Sequence, residues 1–111
     1  MAVKNTDVKT YNISSEEISS ILKSTDFSKC LDADFIEEAI LSDGHEFRYQ
    51  KKTNAFKYGR NYFVKIKETG ENKTSVSVTT QSRKITVLFD PLWKKEVEKV
   101  FYFIDMLYRR K

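Results

Sequence analysis

The sequence predicts an α+β fold: a first strand, two short helices, an antiparallel sheet of four to five strands, and a long C-terminal helix packed across the sheet. Three observations support this prediction. Apolar and polar residues alternate with a period of two through most of residues 45–90, as in half-buried strands. Two helix-start signals precede that stretch, and an amphipathic segment follows it. Because the connections between these strands are short, consecutive strands are expected to pair antiparallel.

Length and composition predict one folded domain over residues 1–111, with residues 1–6 disordered. Aromatic residues make up 14% of the chain, and only three Gly and one Pro are present, which is typical of a folded protein. Cys30 is the only cysteine, so no intramolecular disulfide can form. No apolar run is long enough to span a membrane. We therefore expect a cytoplasmic protein that does not span a membrane.

The first strand is predicted over Asp7 to Ile13 and leads directly into the first helix. Ser14 and Glu17 form a capping box, in which the hydroxyl and the carboxylate each accept a backbone N–H. Ile13 and Ile18 occupy the two positions of a hydrophobic staple. This helix is expected to end near Ser24.

A second helix is predicted from Asp32, as N-cap, to Gly44. Leu31 and Ile36 have the spacing of a staple around such a cap. The apolar stripe of this helix consists of Ile36, Ala39 and Ile40.

Five alternating runs then predict the strands of the sheet. Gly59 indicates a bulge or tight turn, and turns are expected at Thr53–Asn54, Thr69–Asn72 and Gln81–Arg83. The apolar residues of the runs are Phe47 and Tyr49; Phe56 and Tyr58; Tyr62, Val64 and Ile66; Val76 and Val78; and Ile85, Val87 and Phe89 within Lys84 to Asp90.

The C-terminal helix is predicted from Pro91 to about Arg110. Asp90 is placed to cap its first turn, and Pro91 occupies the first helical position, where its missing N–H costs nothing. One face of this helix is apolar, as required to cover a sheet. Its residues are Trp93, Val97, Val100, Ile104, Leu107 and Tyr108, with Phe101 and Phe103 at the margins.

This order of elements, from Asp7 to Arg110, resembles the helix-grip architecture of START-like and plant-allergen-like proteins, and equally that of the TATA-binding-protein class. The resemblance lies in element order and implies a fold. Helix-grip proteins usually enclose an apolar ligand cavity beneath the closing helix. In this short chain we expect aromatic residues to fill that space. They are Trp93, Phe47, Tyr49, Tyr62 and Phe89.

No pattern in the sequence predicts catalysis, a bound metal or a cofactor. His45 is the only histidine, which excludes a site built from several imidazoles. We interpret His45 as part of a helix-to-strand turn and Cys30 as a structural thiol in a linker. The acidic residues Asp32, Asp34, Glu37 and Glu38 are interpreted as a solvated helix face.

Charge is unevenly distributed along the chain, whose net charge is +4. Acidic residues are concentrated in the first half, whereas Phe47 to Lys67 contains seven basic residues and no acidic one. One sheet face should therefore carry basic side chains, and this face is a candidate for binding nucleic acid or another anion. Its candidate residues are Arg48, Lys65, Lys67, Lys84 and the potential stacking residue Phe63.

Tyr102 and Met106 lie opposite the core stripe of the C-terminal helix. Two apolar side chains one turn apart on an exposed face favour a protein contact, with another protein or in a homodimer. The sequence thus favours a small binding or interaction module without catalytic activity. Nucleic-acid binding through the basic face and carriage of a small apolar ligand are the alternatives.

Overall fold

The α+β prediction is confirmed by the computed structural model, which describes residues 4–51, 59–82 and 93–109. Five strands and three helices lie in these ranges. In chain order they are β1 (Lys4–Tyr11), α1 (Ser15–Lys23), α2 (Thr25–Leu31), β2 (Asp34–Leu41), β3 (Gly44–Lys51), β4 (Arg60–Gly70), β5 (Lys73–Ser82) and α3 (Trp93–Arg109).

The five strands form one antiparallel sheet in the order β1-β5-β4-β3-β2. The predicted alternation along β3, β4 and β5 is confirmed, because every second side chain points into the core. The opposite side chains form an outer face that the helices do not cover. The inner residues are Phe47, Tyr49, Tyr62, Val64, Ile66, Val76 and Val78, all at most 1% exposed.

The predicted start of the first helix is confirmed. The Oγ atom of Ser14 accepts a hydrogen bond from the Glu17 N–H at 3.3 Å, so the side chain satisfies one of the N–H groups that a helix leaves unpaired at its start. The inward face of α1 buries Ile18, Ile21 and Leu22. A second cap follows immediately, because Ser24 ends α1 and its Oγ accepts from the Phe27 N–H at 3.2 Å in α2.

The predicted second helix is wrong in position, because residues 34–41 form strand β2. Asp32 does not begin a helix; it lies at the C-terminal end of α2 in the left-handed conformation, with φ 56°. A β-bulge explains why the sequence of this strand resembles that of a helix. The register with β3 shifts between Phe35 and Glu37, so Phe35 and Glu38, three residues apart, both pair with inward-facing residues of β3. A period of two interrupted by this bulge imitates the spacing of a helix.

Four further predictions change with this correction. His45 does not lie in a helix-to-strand turn but in strand β3, where it pairs with Ile40 of β2. Ile36 and Ile40 do not form a core stripe but are exposed, at 55% and 81%. The acidic residues Asp34, Glu37 and Glu38 lie on a strand and not on a helix face. Cys30, predicted in a linker, lies in α2 and is partly buried.

The β4–β5 hairpin is confirmed, with its turn at Glu71–Asn72 and Asn72 at φ 52°. The turn predicted at Gln81–Arg83 is wrong at its start, because β5 continues through Ser82. Gly59 directly precedes β4. Several predictions lie outside the described residues: the turn at Thr53–Asn54, the run with Phe56 and Tyr58, the strand Lys84 to Asp90, the Asp90 cap and Pro91.

Helix α3 packs across the inner face of the sheet and contacts α1, α2, β1 and β5. Its predicted stripe is confirmed for Val97, Val100, Ile104 and Leu107, and Phe101 is also buried. Tyr108, placed in that stripe by the sequence, is 40% exposed, while Trp93 is only partly buried against the core.

The centre of the contact between α3 and the sheet is filled. Val64, Val78, Val97, Val100 and Ile104 are each 0% exposed, so no space large enough for a water molecule touches their side chains. Of the aromatic residues expected to fill the space beneath α3, Phe47, Tyr49 and Tyr62 are buried and Trp93 is partly buried, whereas Phe89 lies outside the described residues.

Candidate functional site

Four of the five residues predicted for an anionic contact lie together on the outer face of the sheet. Lys65 and Lys67 follow Phe63 at every second position of β4, and Arg48 on β3 lies directly opposite Phe63. The structure therefore places these four side chains on one face, and their role in binding stays a prediction. The fifth residue, Lys84, lies outside the described residues.

Acidic partners balance most of the positive charge on this face. The Nε atom of Arg48 lies 2.8 Å from the Glu46 carboxylate, and its Nη1 atom bonds to Glu37. Hydrogen bonds to Glu46 and Glu37 raise the pKa of Arg48 above its usual value. The Nζ atom of Lys65 lies 3.1 Å from Asp43, which lowers the pKa of that carboxyl. Nucleic-acid binding here stays a prediction, with less net charge to support it than the sequence indicated.

Of the two residues on α3 that were predicted to be exposed for a protein contact, Tyr102 is exposed, whereas Met106 is partly buried and packs against the core. Tyr102 is 62% exposed and packs edge-on against Phe103, with ring centroids 5.6 Å apart. Together with Met106, Asp105 and Arg109, Tyr102 lines an open groove of about 320 Å³. Asp105 also forms an ion pair with Lys9 of β1 at 3.0 Å. This groove carries one acidic and one basic side chain and therefore has no clear charge preference.

A third surface was missed by the sequence analysis, and it is the most apolar one. Phe35, Ile36 and Ile40 of β2, here called the β2 edge surface, are 40%, 55% and 81% exposed. They are half of the six large apolar side chains that are exposed in the described residues. Phe35 packs its ring against Tyr49 at 5.5 Å while leaving part of its surface exposed.

The β2–β3 hairpin positions this surface at the border of the sheet. Ser42 and Asp43 form its two-residue turn, and Leu41 pairs with Gly44. A Cβ atom at Gly44 would lie 2.0 Å from the Ile66 carbonyl oxygen, so only glycine fits against β4 at this position. The Ser-Asp-Gly sequence was the signal that could have revealed the hairpin, because these residues are typical of tight turns.

A polar groove of about 390 Å³ adjoins the β2 edge surface on the helix side. Glu38 of β2 lies at its centre, with its two oxygens 2.7 Å from Lys23 Nζ and 2.7 Å from His45 Nδ1. The hydrogen bond from Lys23, together with His45, lowers the pKa of Glu38. The groove is lined by Ser15, Glu16, Ser19, Ser20, Lys23, Glu38 and His45.

Polar groups inside the fold connect its layers. The Tyr62 hydroxyl donates to Glu96 of α3 at 2.7 Å, and the Tyr49 hydroxyl donates to the Leu22 carbonyl at the end of α1. Burial raises the pKa of both tyrosines. Burial alone would raise the pKa of Glu96 as well, but the Tyr62 hydrogen bond and nearby cations outweigh it and lower that pKa.

The described residues contain no cluster of three or more His, Cys, Asp or Glu side chains arranged to hold a metal ion. Within the same ranges, no helix combines the length and the apolar character needed to cross a membrane.

Neither a protein-family model nor a curated protein matches this sequence. Among solved structures, the crystal structure of Ara h 8.0201 is similar to this chain with a TM-score of 0.61 at 8% identity, covering 100% of each chain. A protein of unknown function, SA2116 from Staphylococcus aureus, gives a TM-score of 0.47 at 14% identity, covering 98% of this chain and 97% of that one. At these identities the likeness concerns the fold alone. Of the two architectures that the element order resembles, the comparison with Ara h 8.0201 supports the helix-grip one, and the chain has a helix-grip-like fold.

Proposed function

We propose that this protein is a non-enzymatic interaction module that binds a protein partner through the β2 edge surface. One observation carries the proposal: Phe35, Ile36 and Ile40 are exposed together on a strand at the border of the sheet. Burying one such aliphatic side chain stabilises a complex by about 1.5–3 kcal/mol. Proteins usually protect edge strands, so an apolar edge strand favours a contact surface.

The packing of the described residues between α3 and β5 gives no support to the alternative of an apolar ligand carrier. In a carrier, the ligand would lie between α3 and the sheet. Val78, Val100 and Ile104 lie at this contact and are 0% exposed, so no ligand-sized space adjoins these three side chains. The helix-grip-like fold alone does not assign the carrier function, since one fold supports many functions.

Selection from a random-peptide display library tests the proposal. The wild-type chain is the bait, and each selected peptide is then measured against two variants, Ile40→Lys and Val8→Lys. Val8 is the matched control, because it is also an exposed apolar residue, at 56%, but lies on β1 at the opposite edge. Both side chains are exposed, so neither substitution should unfold the protein.

We expect selected peptides to bind wild type and Val8→Lys equally and to bind Ile40→Lys at least about tenfold more weakly, which corresponds to about 1.4 kcal/mol. Peptides that bind all three proteins equally would contradict the proposal. So would a selection that enriches no peptide at all.

A further inference from the structure

We propose that the partner supplies an extended segment that adds to β2 as an antiparallel strand, with an apolar residue opposite Ile40 and basic residues opposite Glu37 and Glu38. This inference rests on the proposed function and names the class of partner. It follows from the edge geometry, the distribution of charge along β2 and the poor fit of a second copy.

The geometry defines a short binding edge. In the described part of the chain, β2 pairs with β3 on one side, and its other side is the border of the sheet. The bulge between Phe35 and Glu37 interrupts the register, so the regular segment is Glu37–Leu41. A five-residue strand of about 17 Å matches this segment. An added strand pairs its backbone with β2, and its side chains then alternate between the two faces of the sheet.

The charges define the side chains that such a strand should carry. Strand β2 contains Asp34, Glu37 and Glu38 and no basic residue. On the outer face, Glu37 and Glu46 share the single guanidinium of Arg48. The neighbouring cation Lys65, which lies opposite Glu46, is itself paired with Asp43, so three carboxylates and two cations make up this group beside the position opposite Glu37.

On the inner face, acidic and hydrogen-bond-accepting groups also outnumber the cations beside β2. Among the described residues that line the groove beside Glu38 are a second carboxylate, Glu16, three serine hydroxyls that can accept hydrogen bonds, and one permanent cation, Lys23. An arginine or lysine opposite Glu38 would extend into this groove, where acceptors outnumber donors. Next to it on the same face, Ile40 offers an exposed apolar contact for the second side chain of the added strand.

A second copy of the chain is a poor occupant of this edge. If two copies pair their regular segments around a two-fold axis, Ala39 lies opposite Ala39, and the other pairs follow from the antiparallel register. Glu38 then lies opposite Ile40, and Glu37 lies opposite Leu41. Each carboxylate would face an apolar side chain, so the edge is not complementary to itself.

Fluorescence polarisation with labelled synthetic peptides tests the inference. The probe is Thr-Val-Thr-Arg-Arg, whose valine falls opposite Ile40 and whose arginines fall opposite Glu38 and Glu37. The matched control is Thr-Val-Thr-Glu-Glu. We expect the arginine peptide to bind at least about tenfold more tightly at low salt, because like charges directly opposite each other are strongly unfavourable. The difference should shrink as salt screens the charges.

Two further measurements separate this geometry from a general attraction for basic peptides. The double variant Glu37→Gln with Glu38→Gln should lose most of the preference for arginine, whereas Glu68→Gln with Glu71→Gln, the same charge change in the β4–β5 hairpin region, should keep it. Two further peptides carry N-methyl groups, one at the odd-numbered and one at the even-numbered amides. Only one of these two peptides should lose binding, because a strand donates every second N–H to its neighbour.

Several outcomes would overturn the inference: equal binding of the two peptides, no binding of either, or equal effects of the two double variants. The peptide comparison uses the wild-type protein and stays valid if a variant fails to fold. If display selection yields peptides that depend on Ile40 but carry no basic residue, the inference fails while the proposed function stands. If selected peptides ignore Ile40, the proposed function fails.

Discussion

Removing one hydroxyl group, by the substitution Tyr49→Phe, should destabilise this protein measurably. Tyr49 is 1% exposed, and its hydroxyl donates to the Leu22 carbonyl, one of the carbonyls that a helix leaves unpaired at its C-terminal end. Phenylalanine keeps the ring and its packing against Phe27, so the substitution removes mainly the hydrogen bond. A buried carbonyl that loses its partner costs about 1–3 kcal/mol.

This loss is a large share of the free energy of unfolding of a small domain, which is about 5–15 kcal/mol. For a domain of this size, 1 kcal/mol lowers the melting temperature by roughly 4 °C, so we expect a decrease of about 4–12 °C. Differential scanning calorimetry measures the decrease, and urea unfolding with an unchanged m-value shows that only stability has changed. The control is Tyr102→Phe, at an exposed hydroxyl on α3, which should leave the melting temperature unchanged. If Tyr49→Phe melts at the same temperature as this control, the proposed link between β3 and the end of α1 is refuted.

Three more predictions concern pH, charge and the thiol. The pKa of Glu96 is lower in the folded protein than its ordinary value, so the stability that it contributes is present above about pH 4.3 and is lost as pH falls through the folded pKa. Glu96→Gln should therefore flatten the acid side of the stability curve in urea titrations at several pH values, and an unchanged slope would contradict this. If the outer face binds nucleic acid, Lys65→Glu with Lys67→Glu should weaken binding to a labelled single-stranded oligonucleotide, and wild-type affinity should fall steeply with salt. Absence of wild-type binding at low salt would remove that alternative. Cys30 is partly buried in α2 and should react with a thiol reagent much more slowly in the native protein than in urea; equal rates would show that it is freely accessible.

Local patterns in the sequence were sufficient to predict an element and its buried face where the apolar residues of that element follow one period, two for a strand or 3.6 for a helix. The Ser14 cap depends on residues three apart, and its hydrogen bond is the predicted one. The alternating runs of β3, β4 and β5 bury the residues that a period of two selects, and the stripe of α3 buries those that a period of 3.6 selects. In these elements, burial follows directly from the direction in which each side chain leaves the backbone.

The candidate site depended on strand pairing, which the spacing of residues 34–41 does not show, although the Ser-Asp-Gly sequence is a local signal for the hairpin turn. The bulge in β2 exists because β2 pairs with β3, and it moves Glu38 onto the same face as Phe35. Read without that pairing, the same residues have helical spacing.

The net charge of the outer face could not be predicted from the sequence either, because the acidic partners of its basic residues come from other strands and turns. Arg48 pairs with Glu37, eleven residues earlier, and Lys65 pairs with Asp43. The excess of basic residues along the chain therefore does not become an equal excess on the outer face.

The sequence by itself determined the fold class, the first helix and the buried faces of three strands and the closing helix, because each depends on a repeating pattern within one segment. Only the tertiary structure decided that Phe35, Ile36 and Ile40 lie exposed at an edge, because an edge depends on which strand has a neighbour on one side only, and among the described strands β2 is such a strand. That property belongs to the assembled sheet, in which the pairing of β2 with β3 overrides the helical spacing of residues 36–40.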